Sequence, residues 1–167
     1  MYDIVTHVDL NTSVARVWAV LTDFASYHAW NPVIESIEGA PIEGTRLRVS
    51  LRSEALRRPS SAPLHALKSF AFRSWFALHG MRFAVRVTKL LPERELRWLG
   101  TLPVARMFQG EHYFQVSELR DGSVRFTQGE CYAGLLEPAF RDVMEDVNRH
   151  AMTAVNQALK GYLEASG

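Results

Sequence analysis

Over the first ten positions, Tyr2, Ile4, Thr6, Val8 and Leu10 alternate with Asp3, His7 and Asp9. That period of two predicts a strand with one face buried. Asn11, Thr12 and Ser13 follow as candidate helix caps, because their side-chain oxygens can accept from free amides at a helix start. The period then lengthens: Val14, Val17, Trp18 and Leu21 recur at helical spacing and predict a helix to about Asp23. A second short turn is expected over 24–27, and Pro32 disfavours helical geometry at Asn31. Six strand-like runs come next, at 33–38, 45–52, 82–90, 93–100, 109–118 and 123–133. Gly39, Pro41, Gly44, Pro92 and Asp121-Gly122 punctuate them as turns. The last helix begins near Pro138, whose missing N–H costs nothing in a first turn. Its stripe, Phe140, Val143, Met144, Val147, Ala151, Val155, Ala158 and Tyr162, leaves Asp142, Glu145, Arg149 and Lys160 to one side.

The stretch Val17-Trp18-Ala19-Val20-Leu21-Thr22-Asp23-Phe24, then Trp30-Asn31-Pro32, directly after an N-terminal strand and far ahead of a long final helix, resembles the START-like (SRPBCC) superfamily of polyketide cyclases/dehydrases and lipid-transport proteins. The resemblance covers nearly all of the chain except 53–80. It implies an α+β helix-grip fold, β-α-α-β6-α, in which a curved seven-stranded antiparallel sheet wraps round the C-terminal helix. It also implies a cavity between sheet and helix for a hydrophobic ligand, lipid-like or aromatic.

Which face of each strand points inward decides the candidate site. A two-residue turn at Asp121-Gly122 would pair Ser117 with Phe126 and Tyr113 with Glu130. A four-residue loop is preferred, because it gathers His112, Phe114, Val116, Val124, Phe126, Gln128, Glu130 and Tyr132 on one face. Glu111, Tyr113, Gln115, Ser117, Arg125 and Thr127 then face water, and a one-residue slip would exchange the faces. By the same alternation Leu47, Val49, Leu51, Phe83, Val85, Val87, Leu96 and Trp98 turn inward, and Arg46, Arg48, Arg52, Arg82 and Arg86 outward. The expected ligand lining combines Leu47, Val49, Phe83, Val85, Trp98, Phe114, Phe126 and Gln128 of the sheet with Tyr132, Phe140, Met144 and Val147. A solid core of the same residues is the alternative.

His112 and Glu130 are the inward ionisable pair on neighbouring strands. A carboxylate beside an imidazole suits general acid–base chemistry, as in a cyclase or dehydratase. Equally, the pair could hydrogen-bond a ligand, or simply satisfy each other, Gln128 or Tyr132. Cys131 faces outward, so no nucleophilic triad forms around them. Trp18 and Trp30 are expected to serve the core, with stacking at the start of the helix pair as the alternative. The apolar stretch 101–108, with Leu102, Pro103, Val104, Met107 and Phe108, closes a pocket mouth or tucks into the core.

At 167 residues the chain suits one domain, 1–167, with an insertion at about 53–80. A net charge of +1 gives no drive towards nucleic acid. The single Cys131 rules out an internal disulfide, and His7, His28, His65, His79 and His150 lack metal-ligand spacing, so neither metal nor cofactor is expected. No apolar run reaches the roughly 18 residues of a membrane span. The N-terminal residues lack the pattern of a signal peptide, and a cytoplasmic location is expected. The insertion itself reads as a lid helix over 62–79, capped by Ser61 and Gly80, with Leu67, Ala71, Trp75 and Leu78 on its apolar stripe. Arg52, Arg57, Arg58, Lys68 and Arg73 against Glu54 make it basic, which also fits docking on an anionic membrane or a protein partner. Phe70, Phe72, Phe76 and Leu78 fit an extended segment as well.

Overall fold

The computed structural model describes residues 2–52, 82–101 and 108–165. Seven antiparallel strands form one curled sheet: β1 (Tyr2–Leu10), β2 (Ile34–Glu38), β3 (Arg46–Leu51), β4 (Arg82–Leu91), β5 (Glu95–Thr101), β6 (Gln109–Glu118) and β7 (Val124–Ala133). Their order across the sheet is β1-β7-β6-β5-β4-β3-β2, so the first two strands in sequence lie at opposite edges. The chain between them must cross the sheet. It does so through α1 (Val14–Thr22), a single 3-10 turn at Phe24–Ser26 and α2 (Tyr27–Trp30). The long helix α3 (Glu137–Ala165) then runs back against β1 and β7 and meets α2. This is the helix-grip architecture.

Local chemistry sets the boundaries. Ser13 is the cap among the three candidates: its Oγ accepts from the Arg16 amide at 3.3 Å. Asn31 stands extended before Pro32, as that dipeptide requires. Its buried Oδ1 accepts from the amides of Val33 and Ile34 at 2.9 and 2.8 Å, turning the chain from α2 into β2. Arg52, expected to face water, instead folds back on α2. Its Nε donates to the Asn31 carbonyl at 3.1 Å and its Nη2 to the His28 carbonyl at 2.6 Å, where a helix end leaves acceptors free.

The β6–β7 register brings Val116 opposite Phe126, Phe114 opposite Gln128 and His112 opposite Glu130, the face grouping expected from burial. The loop is shorter than the expected four residues. The Leu119 amide donates to the Ser123 carbonyl at 2.8 Å, leaving Arg120, Asp121 and Gly122 as the loop, with Gly122 at φ +83°. Only an odd loop puts those side chains on one face, because residues directly opposite in an antiparallel pair share a face.

Two further expectations are corrected. The C-terminal half of the α3 stripe runs through Met152, Asn156, Leu159 and Leu163, whereas Ala158 is half-buried and Tyr162 exposed. A 29-residue helix presents more than one apolar row, and the position of β1 selects between them. On the convex side Tyr113 is buried rather than solvated, because it lies across Gly129, the residue opposite it on β7. The Arg97 guanidinium lies over the ring at 5.0 Å, and the Tyr113 hydroxyl donates to Asp3 at 3.1 Å. Burial and the Asp3 charge push this phenol up to about 12.

Buried apolar residues fall into two clusters. The larger joins α1, α2 and the C-terminal part of α3 to the inner faces of β3–β7, through Leu47, Val49, Trp98, Phe114, Phe126 and Leu159 among others. The smaller comprises Ile4, Tyr132, Met144 and Met152, with Tyr2, Phe108 and Phe140 packed against it. Among the described residues, no helix is long and apolar enough to cross a membrane. The expected lid residues Leu67, Ala71, Trp75 and Leu78, and 102–107 of the apolar loop, lie outside the described residues.

Candidate functional site

A row of side chains crosses the concave face where β5, β6 and β7 pair. Trp98 stands opposite His112, and His112 opposite Glu130. The imidazole stacks on Trp98, with ring centroids 5.9 Å apart and planes inclined by 25°, and leans on Phe114 at 4.6 Å. Its Nδ1 lies 3.7 Å from Glu130 Oε2, an ion-pair separation rather than a hydrogen bond. The His112 Nε2 is buried and has no hydrogen-bond partner among the described residues. An orphaned polar atom of this kind costs about 1–3 kcal/mol.

The polar groups around this row are satisfied by α3. Gln128 is fully buried and donates from Nε2 to the Met152 carbonyl at 2.9 Å and to Asn156 Oδ1 at 2.7 Å. Asn156 in turn donates to Thr6 Oγ1 at 3.2 Å. Asn148 donates to the Tyr132 hydroxyl and, at 3.4 Å, to Glu130 Oε2. Burial pushes the Tyr132 phenol well above its ordinary range, and the neighbouring Glu130 carboxylate adds to the rise. A seam of amide, phenol, carboxylate and imidazole therefore runs along α3, between the two apolar clusters.

The expected lining divides along this seam. Leu47, Val49, Val85, Trp98, Phe114 and Phe126 belong to the larger cluster, with Phe83 half-buried against it. Tyr132 and Met144 belong to the smaller one, flanked by Phe140. Val147 is buried outside both. Trp18 packs half-buried on the larger core, while Trp30 rests against Tyr27 and Tyr162. Asn148, Asn156 and the Trp30 Nε1, a second buried polar atom without a partner among the described residues, escaped the sequence argument. A signal for the two amides was there: Met144, Asn148, Met152 and Asn156 recur every four residues, one helix row alternating thioether and amide. Cys131 sits half-buried on the convex face, its thiol pushed up first by burial and then by Asp3 and Glu111. Among the described residues, no three His, Cys, Asp or Glu side chains gather as metal ligands.

The sequence matches the family described as "Polyketide cyclase / dehydrase and lipid transport" over residues 1–164. The chain belongs to that family. This family member is also similar in fold to a START superfamily protein from Mycobacterium smegmatis, at TM-score 0.65 and 14% identity over 99% of each chain. A hypothetical protein from Helicobacter pylori is similar at TM-score 0.67 and 14% identity, over 96% of this chain and 87% of that one. A protein from Thermus thermophilus gives TM-score 0.63 and 13% identity over 99% of both chains. No protein of curated function matches in sequence. The polyketide cyclase/dehydrase and lipid-transport family supplies a ligand-binding fold for hydrophobic small molecules.

Proposed function

We propose that this protein binds a hydrophobic small molecule, lipid-like or aromatic, between the concave face of its sheet and α3. One observation carries the proposal: polar side chains converge on a seam inside an otherwise aromatic and aliphatic interior. A site that takes an apolar ligand in one orientation is built this way, with a few placed polar groups in an apolar wall. Native mass spectrometry of freshly purified protein tests it, together with thermal shifts against fatty acids and polyphenols. An added mass lost on denaturation and a rise in Tm are expected; a density map with a solid interior would overturn it.

The imidazole–carboxylate contact favours a second reading, proton transfer in a cyclase- or dehydratase-type reaction. His112 would be the acid–base and Glu130 would hold its tautomer. Unchanged turnover of an identified substrate by His112→Ala and Glu130→Gln variants would remove it. The insertion remains a proposal as lid or docking surface. Deleting 54–79 and comparing ligand release with liposome binding separates these roles.

A further inference from the structure

We infer that His112 is the specificity-determining residue of the interior site, and that it selects ligands carrying an acidic hydroxyl: a phenol, an enol or a carboxylic acid. The inference rests on the ligand-binding proposal above and adds to it the chemistry of the ligand's polar end.

The row Trp98–His112–Glu130 leaves the imidazole few choices. One ring face is taken by Trp98, and the Nδ1 edge faces the Glu130 carboxylate. A proton on Nδ1 is favoured there, since a carboxylate accepts and never donates when ionised. In the neutral ring Nε2 is therefore the lone-pair nitrogen, and it is buried with no donor in reach among the described residues. The amides that could have served it are committed elsewhere: Gln128 to Met152 and Asn156, Asn148 to Tyr132 and Glu130. Among the described residues nothing completes this nitrogen, which leaves it for a ligand.

The complementary ligand group must donate to a neutral imidazole. If the ring takes up a proton, the same group must accept from Nε2–H, best as an anion. An acidic hydroxyl does both, because one proton is shared along a single O···N axis and either partner can hold it. An ether or a hydrocarbon can donate nothing and leaves Nε2 unpaired. Trp98 and Phe114 pack against the imidazole, so its surroundings are aromatic, which favours a ring attached to that hydroxyl. A site built to bond a hydroxyl discriminates strongly against the analogue that lacks it.

Isothermal titration of the full chain with 2-naphthol and with its methyl ether tests this. Wild type should prefer the naphthol by about tenfold or more. His112→Leu should bind both alike, at the wild-type affinity for the ether. On wild-type protein carrying 15N-histidine, the His112 Nε2 resonance should move with naphthol and stay still with the ether, a readout independent of how well the variant folds. If both probes bind wild type equally, or the preference survives in His112→Leu, the inference falls while the binding proposal stands. If wild type binds neither probe, the inference falls, and the binding proposal stands or falls on its own test with fatty acids and polyphenols.

Discussion

Gln128 and Asn156 bond to each other at 2.7 Å in the closed interior, joining β7 to the middle of α3. Each has a further partner, the Met152 carbonyl for Gln128 and Thr6 for Asn156, so the chain of bonds spans β7, α3 and β1. Apolar packing tolerates sliding of a helix along a sheet, whereas this linkage fixes one position. Removing one member leaves a buried amide without its partner. Gln128→Leu should therefore destabilise the protein by about 1–3 kcal/mol, and Asn156→Leu similarly. The double variant should recover part of the loss. Urea unfolding of the four proteins, analysed as a double-mutant cycle, checks the coupling; additive losses would show the bond to be incidental.

Tyr113 lies over Gly129, and a methyl group at that glycine would overlap the phenol ring. Gly129→Ala should cost about 1–3 kcal/mol through displacement of Tyr113. Adding Tyr113→Ala should make the glycine change nearly neutral. Denaturant midpoints of the single and double variants settle whether the close approach is the cause.

Glu95 is a buried carboxylate on the convex face. Burial alone would raise its pKa. Hydrogen bonds from Lys89, Gln115 and Arg97 outweigh that and bring it from an ordinary 4.5 down to about 2. A carboxyl whose folded pKa is depressed stabilises the protein fully above its unfolded value, and the contribution is lost as pH falls through the folded one. Wild type should thus lose stability between about pH 4.5 and 2. Glu95→Gln should flatten that limb, as followed by denaturant unfolding at successive pH values.

Val147 is buried on α3. Val147→Asp places a charge there with no partner provided for it, and a loss of roughly 3–5 kcal/mol is expected. An unchanged urea midpoint would mean that the Val147 face of α3 is not the packed one.

Most of the architecture was legible because its signals are local. Alternation gave β1 and the β6 and β7 faces, Ser13 and Pro32 bounded the first helices, and Pro138 marked the start of α3 within a residue. The candidate pair His112 and Glu130 followed from alternation as well, since both lie at inward positions of paired strands. What stayed hidden depends on partners distant in sequence. Tyr113 reads as a solvated residue until Gly129 is known to stand opposite it. Asn148 and Asn156 read as breaks in an apolar stripe until Glu130, Tyr132 and Gln128 arrive from the sheet. The choice between Tyr162 and Leu163 at the end of α3 turns on where the helix docks, which its own periodicity leaves open.

The three-residue loop at Arg120, Asp121 and Gly122 has a consequence for how this gene can drift. The register is held outside the loop, by the pairing of β7 with β1 and by the bonds from Gln128 to α3. A residue inserted at the loop tip is therefore absorbed as a longer loop, with His112 still opposite Glu130. A residue inserted or deleted inside β7 is not: it carries the side chains beyond it to the opposite side of the sheet, and separates His112 from Glu130 or Gln128 from α3. Descendants of this sequence should therefore vary in length at the loop tip, and inside β7 only where a bulge restores the faces.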